Sequence, residues 1–284
     1  MRSRSSVMAL VRRGVTGAVV TGGAGGLGRA VGAALRDLGL RVWLADVDEV
    51  AARAAADALG VRSCRLDVAD PHACRDLAAH VEREDGLALW VNNAGVLHTR
   101  PSWEHPAAEV RRMFDVNVHG TMNGTWAALE VLRRRDAGHV VNVISLAGLA
   151  APPGETVYAA TKHAALAFTT GTLQDLRGAG VRGVQLSAVC PDGIWTPMLH
   201  DKVDDPCAAP SWSGVMLQPE QVAAVVVDVV RRPRPVVSLP AWRGGFARAY
   251  SAAPRAALAV RPLVLAVARR KQKAFARTHP RPGG

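Results

Sequence analysis

The sequence has few cysteines, few tyrosines and lysines, and no long unbroken apolar run. Its four cysteines (Cys64, Cys74, Cys190 and Cys207) form no C-x-x-C pair. That spacing argues against a dithiol or zinc motif, no metal site is expected, and the thiols read as reduced cysteines of a cytoplasmic protein. No stretch approaches the roughly 18 uncharged apolar residues that span a bilayer. The start carries Arg2, Arg4, Arg12 and Arg13, and its apolar stretch Val7–Val11 is too short for the core of a secretory leader. Residues 1–14 are therefore expected to be a flexible, frayed end.

Acidic residues are also missing from one region. Residues 231–284 hold 13 Lys and Arg and no Asp or Glu, whereas residues 1–230 hold 22 Lys and Arg against 24 Asp and Glu. The formal charge of +11 thus belongs to the end of the chain, and the body is near neutral. A basic body built to grip nucleic acid is excluded, so no nucleic-acid partner is expected.

What is present is alternation. Val- and Leu-rich runs near 17–21, 41–45, 62–66, 87–92, 139–144, 183–189 and 235–239 read as strands. Helical patterns lie between them near 26–38, 49–59, 71–84, 107–135, 156–178 and 219–231, the last opened by Pro219 and Glu220. Seven strands with covering helices predict an α/β fold: one doubly wound parallel sheet in a single domain over 15–240, followed by a basic, partly apolar tail over 241–284. Ligands then bind at the carboxyl ends of the strands.

The first strand runs into a glycine-rich turn over 21–28 and then a helix. Such a turn lets backbone approach a pyrophosphate, and the helix N-terminus offers it free N–H groups. The turn fits G-x-G-x-x-G from Gly23 to Gly28, or T-G-x-x-x-G-x-G through Gly22, Gly26 and Gly28. The second strand ends at Asp46, 18 residues after Gly28. A carboxylate there accepts hydrogen bonds from ribose hydroxyls and repels a 2′-phosphate, which favours NAD(H) over NADP(H). Asp48 competes for that role but suits the cap of the next helix. Downstream lie Asn92-Asn-Ala-Gly95, Ser145, and Tyr158 with Lys162 one helical turn on. With two tyrosines and four lysines in the chain, a Lys four residues after a Tyr has a chance expectation of about 3%.

Together these motifs, with Asp67 after the third strand, Asn117 in Asn-Val-His-Gly, and Ser145 lying 13 before Tyr158, resemble the short-chain dehydrogenase/reductase family over residues 15–240. The resemblance implies a Rossmann-like domain in which Gly22, Gly26, Leu27 and Gly28 cradle the pyrophosphate and Asp67 and Val68 flank the adenine. It places Asn93, Ala94 and Gly95 beside the cofactor, Asn93 also bracing the central strands. Pro191, Ile194 and Thr196 would meet the nicotinamide end, and Asn117, Ser145, Tyr158 and Lys162 would form a catalytic tetrad. One departure is Asp192, where relatives usually have glycine; it either alters the pocket or decorates a turn.

The implied activity is hydride transfer between nicotinamide and a secondary alcohol or ketone, Tyr158 serving as acid/base. The lysine and the oxidised nicotinamide are expected to lower its pKa, Ser145 to hold the reacting oxygen, and Asn117 to position a relaying water. The alternatives are an NADPH-dependent carbonyl reductase, which Asp46 disfavours, and a non-catalytic dinucleotide sensor, which has no need of a tyrosine acid. Segment 197–218 mixes Met198, Leu199, Trp212, Val215, Met216 and Leu217 with polar residues, as suits a lid over a medium-sized apolar substrate or a loop packed on its own body. The resemblance also implies a homodimer or homotetramer through helices 107–135 and 156–178, where 125–132 is either a self-complementary apolar patch or simply core. In the tail, Pro262 is expected to break or kink any helix, leaving a stronger segment over 263–276. Peripheral membrane contact, intersubunit packing and disorder are its three readings.

Overall fold

A computed structural model describes residues 6–279; the rest of the expected flexible start and of the tail lies outside the described residues. In chain order the elements are α1 (Val7–Val11), β1 (Gly17–Thr21), α2 (Gly26–Asp37), β2 (Arg41–Asp46), α3 (Glu49–Leu59), β3 (Arg62–Arg65), α4 (Pro71–Asp85), β4 (Leu87–Asn92) and α5 (Ala107–Phe114). There follow α6 (Gly120–Leu132), β5 (Gly138–Val143), α7 (Thr156–Gly178), β6 (Val184–Pro191), α8 (Pro197–His200), α9 (Pro219–Arg231), β7 (Val236–Leu239), α10 (Ala241–Ala252) and α11 (Pro254–Thr278).

The seven strands form one parallel sheet in the order β3-β2-β1-β4-β5-β6-β7. β1, β4 and β5 are buried at every position, which is why they read as continuous apolar runs and not as alternation. Leu27, Val31 and Leu35 of α2 pack with Val222, Val226 and Val230 of α9 on one face. Cys74, Leu77 and Val81 of α4, Ala128 and Leu132 of α6 and Leu176 of α7 cover the other. The strand order reverses between β1 and β4, so the crevice for a ligand opens at their carboxyl ends.

Two expectations are corrected and one choice is settled. The start is not frayed from residue 7 onward: Ser6 caps α1, and Val7 and Leu10 are buried against α9 and the central strands. Their burial anchors a helix too short to persist alone. Pro262 does not break the tail. It sits inside a continuous α11 of 25 residues, because contacts along its length offset the missing backbone bond. Of the two readings of 125–132 the patch gives way to core: Thr125, Ala127, Ala128, Leu129, Val131 and Leu132 are buried, and only Trp126 and Glu130 face outward.

The expected helix over 107–135 appears as α5 and α6 joined by a π-helical turn, Asp115–His119, and closed by a 3-10 turn. The π-turn carries Asn117, fully buried. Such turns insert one extra residue and commonly mark functional sites.

Candidate active site

The glycine turn is closed to side chains. Gly22 takes φ +63°, the left-handed region, and a Cβ there would sit 2.8 Å from the Ala94 Cα. A Cβ on Gly28 would lie 2.1 Å from the Gly22 carbonyl oxygen. Asn93 locks the turn: its Nδ2 donates to the carbonyls of Thr21 (2.9 Å) and Gly22 (3.1 Å). Thr21 Oγ1 accepts from the backbone N–H groups of Asn93 and Ala94, each at 3.0 Å. Asn93 thus braces β1 against β4. The bond between β4 and β5 falls to its neighbour Asn92, whose Nδ2 donates to Asn142 Oδ1 at 2.8 Å. α2 begins at Gly26 with Gly25 as a cap that makes no side-chain bond, so its first N–H groups remain free for an anion.

At the next strand end, Asp46 accepts from the Ala24 N–H (3.0 Å) and the Asp48 N–H (3.2 Å). Asp48 itself caps α3 by accepting from Ala51 at 3.0 Å. Val47, Leu66, Asp67, Val68 and Ala69 continue this end of the cleft; Arg111 and Arg112 of α5 also line the cavity, and Arg65 is the register partner of Asp46 on β3. Asp67 Oδ1 accepts from the Ala69 N–H, and the Val68 carbonyl accepts from Asn123.

A cavity of about 990 Å³ runs from this end past Leu27, Gly95 and Ser145 to Tyr158, Lys162, Pro191, Ile194 and Thr196. Glycines a side chain would clog, an uncapped helix start and a carboxylate facing the cleft fit a nicotinamide dinucleotide. Ser145, after β5, accepts from the Ala147 N–H at 3.1 Å. Tyr158 and Lys162 share one face of α7, with the ammonium nitrogen 5.6 Å from the phenol ring centre and donating to the Val143 carbonyl at 3.3 Å. Burial pushes the phenol of Tyr158 up, Glu155 adds to that push, and a hydrogen bond with Ser145 opposes it. Burial likewise lowers Lys162 to about 8. In the chain alone, then, burial outweighs the Ser145 hydrogen bond and the phenol stays protonated, against the expected lowering.

Asn117 is taken up by its neighbours. Its Oδ1 accepts from the Val96 N–H at 2.8 Å, while its Nδ2 donates to the Val96 carbonyl at 2.9 Å and to Thr161 Oγ1 at 3.1 Å. It holds the 95–96 segment beside Lys162.

Glu155 was not legible as a site residue. It is buried one turn before Tyr158, accepts from Ser211 Oγ at 2.7 Å, and burial raises its carboxyl to about 7. Its only sequence signal is position. Asp192 does more than decorate a turn: it accepts from Gly193, from Val215 and from Arg243 of α10, the last at 2.9 Å. Segment 197–218 packs mostly inward, with Leu199, Trp212 and Leu217 buried, while Met198 faces the cavity.

The largest omission from the sequence reading is the tail. Phe246 and Tyr250 of α10 and Arg261, Val264 and Leu265 of α11 line the cavity. α11 is fastened over segment 197–218. Gln272 Nε2 donates to the carbonyls of Lys202 (3.2 Å) and Asp205 (2.7 Å), Lys271 to those of Ser213 and Gly214, and Phe275 packs edge-on against Trp195.

Comparison with known proteins agrees with this geometry. A family model described as short chain dehydrogenase matches residues 16–206. The 1-deoxy-11-beta-hydroxypentalenate dehydrogenase of Streptomyces exfoliatus is 33% identical, over 76% of this chain and 80% of its own. The cyclopentanol dehydrogenase of Comamonas testosteroni is 32% identical, over 75% and 88%. Sex determination protein tasselseed-2 of Zea mays is 37% identical over 64% of this chain, and the match spans only 56% of that relative's length. A crystal structure of levodione reductase superposes with a TM-score of 0.72 at 26% identity, covering 83% of this chain and 98% of that one.

Proposed function

The chain belongs to the short-chain dehydrogenase/reductase family of oxidoreductases, and we propose that it uses NAD(H) to interconvert a secondary alcohol and its ketone, the substrate being medium-sized and apolar. One observation carries this reading: Ser145, Tyr158 and Lys162 are gathered at one end of the cavity whose other end is the glycine turn and Asp46. Gly22, Gly26, Gly28 and the start of α2 would hold the pyrophosphate, Asp46 the adenosine ribose, and Asp67 and Val68 the adenine. Pro191, Ile194 and Thr196 would meet the nicotinamide end. Family membership supports a nicotinamide dinucleotide; the choice of NAD(H) rests on Asp46 and on a glycine turn, 21–28, that holds no Lys or Arg.

Bound NAD(H) supplies the hydride acceptor or donor and, when oxidised, a positive ring beside the phenol. Ser145 donates a hydrogen bond to the substrate oxygen and fixes its direction. Tyr158 takes the hydroxyl proton in oxidation and returns one in reduction. Lys162, still largely protonated at neutral pH with its value near 8, favours the phenolate and would also hold the nicotinamide ribose. Asn117 keeps the 95–96 segment in place and would position a relaying water. Met198, Phe246, Val264 and Leu265 give the substrate side its apolar character.

The test is a panel of cyclic, aliphatic, aromatic and steroid alcohols, assayed by absorbance with NAD⁺ and NADP⁺ in parallel. Turnover of cyclic apolar alcohols with NAD⁺ is expected. Tight NADH binding without turnover of any alcohol or ketone would favour the sensor reading, and preference for NADP⁺ the reductase reading. Self-association through α6 and α7 is also proposed, since exposed Trp126 stands edge-on to Phe168 there; light scattering at the monomer mass of 30.0 kDa would refute it.

A further inference from the structure

We propose that α10 and α11 form a docking surface for an anionic lipid bilayer, set beside the mouth of the substrate cavity. Of the twelve large apolar side chains exposed among the described residues, six lie on these two helices: Trp242, Phe246, Leu258, Val260, Leu263 and Val267. The inward face of α11 is already used, by Ala257, Ala268 and Gln272. At 3.6 residues per turn, Val260, Leu263 and Val267 make one strip on the outer surface, and Arg269, Lys273 and Arg277 make a second, roughly a third of a turn away. All six side chains are exposed. An apolar strip beside a cationic one is how an interfacial helix meets headgroups and acyl chains together.

Charge selects the occupant. No Asp or Glu follows Asp228, and α10 and α11 together hold nine Lys and Arg. A second copy meeting this face with its own like face would bring two acid-free cationic surfaces together. An anionic bilayer answers both the charge and the exposed apolar strip. No helix among the described residues is long and apolar enough to cross a membrane, so the contact is with the surface. Gln272 and Lys271, bonded to the backbone of segment 197–218, fix α11 to the body, so the body is held at the surface too. Phe246 is both exposed and part of the cavity lining. On the proposed function, an apolar alcohol dissolved in the bilayer would then reach Tyr158 through the α10–α11 side of the cavity.

The test is co-sedimentation of the full-length protein with phosphatidylcholine vesicles, with and without phosphatidylglycerol, at low and high salt. It reads binding alone, so its failure leaves the oxidoreductase reading untouched. Two variants are compared: Leu263→Asp with Val267→Asp, and Arg269→Gln with Lys273→Gln and Arg277→Gln. None of these residues lines the cavity, and NADH binding should be retained. Binding is expected to the anionic vesicles only and to fall with salt. The triple variant should bind on the order of a hundredfold more weakly, at roughly fivefold per basic residue, and the aspartate pair should remove the blue shift of tryptophan emission. Equal partition onto neutral vesicles, or anionic binding that neither variant changes, would overturn the proposal. So would absence of vesicle binding with a light-scattering mass that falls in the aspartate variant, which would assign the face to a second copy.

Discussion

Arg243 donates through Nε to Asp192 Oδ2 at 2.9 Å, and the two side chains are only 15% and 6% exposed. The pair joins the loop after β6 to α10, which lies wholly beyond the segment matched by the family model. Arg243 Nη2 also donates to Ser213 Oγ, so one guanidinium ties the loop after β6, segment 197–218 and the tail. Arg243→Met should therefore cost about 3–5 kcal/mol, the usual result of stranding one partner of an enclosed ion pair. Arg243→Met combined with Asp192→Asn should cost less than Arg243→Met alone. Denaturant melts of the two variants check this, and equal or greater loss in the double would refute it.

Tyr158→Phe should lower kcat by about 10³-fold or more, within the range of a lost acid/base. NADH affinity, read by fluorescence, should hold within about twofold, because the proposed contacts to the cofactor come chiefly from the glycine turn, Asp46 and Lys162. A variant with near-normal turnover would remove Tyr158 from the chemistry.

Asp46→Asn keeps an acceptor for the Ala24 N–H and drops the negative charge. The ratio of kcat/KM for NAD⁺ to that for NADP⁺ should fall by about tenfold or more, since a like charge beside the 2′-phosphate is removed. A wild-type enzyme that already prefers NADP⁺ would contradict the assignment.

Glu155 supplies a pH signature. Its folded value of about 7 stands above the ordinary 4.5, so the native state holds this proton more tightly than the unfolded chain does. The stability it contributes is complete below about pH 4.5 and is lost as the pH rises through about 7, roughly 3 kcal/mol in all. Glu155→Gln keeps an oxygen for Ser211 and should flatten the melting temperature across that window. Because the Glu155 charge raises Tyr158, the same variant should also move the acidic limb of kcat/KM for oxidation to lower pH. Unchanged slopes in both measurements would refute the buried acid.

The sheet was legible because its central strands are buried on both faces, so that segments such as Gly17–Thr21 and Leu87–Asn92 carry almost nothing but apolar residues. The chemistry was legible through spacing: a Tyr and a Lys four apart on a helix must share a face wherever the helix goes. Glu155 and Arg243 were invisible for the opposite reason. Their roles come from what the fold sets against them, Ser211 and Asp192, 56 and 51 residues away in sequence. Pro262 misled because local propensity predicts a break, while Ala257, Ala268 and Gln272, buried on both sides of it, hold the helix together. Val7 and Leu10 lie in a helix of five residues, too short for a periodicity to declare itself.

The position of α11 has a consequence for shortening or remodelling this chain. A protein cut after Pro240 would keep every group assigned to hydride transfer and still lose Phe246, Tyr250, Val264 and Leu265 from its cavity wall. It would also bare Trp195 and Trp212, against which Phe275 packs. On the proposed function, part of the substrate wall thus lies on a stretch of polypeptide separate from the catalytic groups, while Met198 stays with them. Grafting a different segment after β7 would exchange one appetite for another on an unchanged catalytic body.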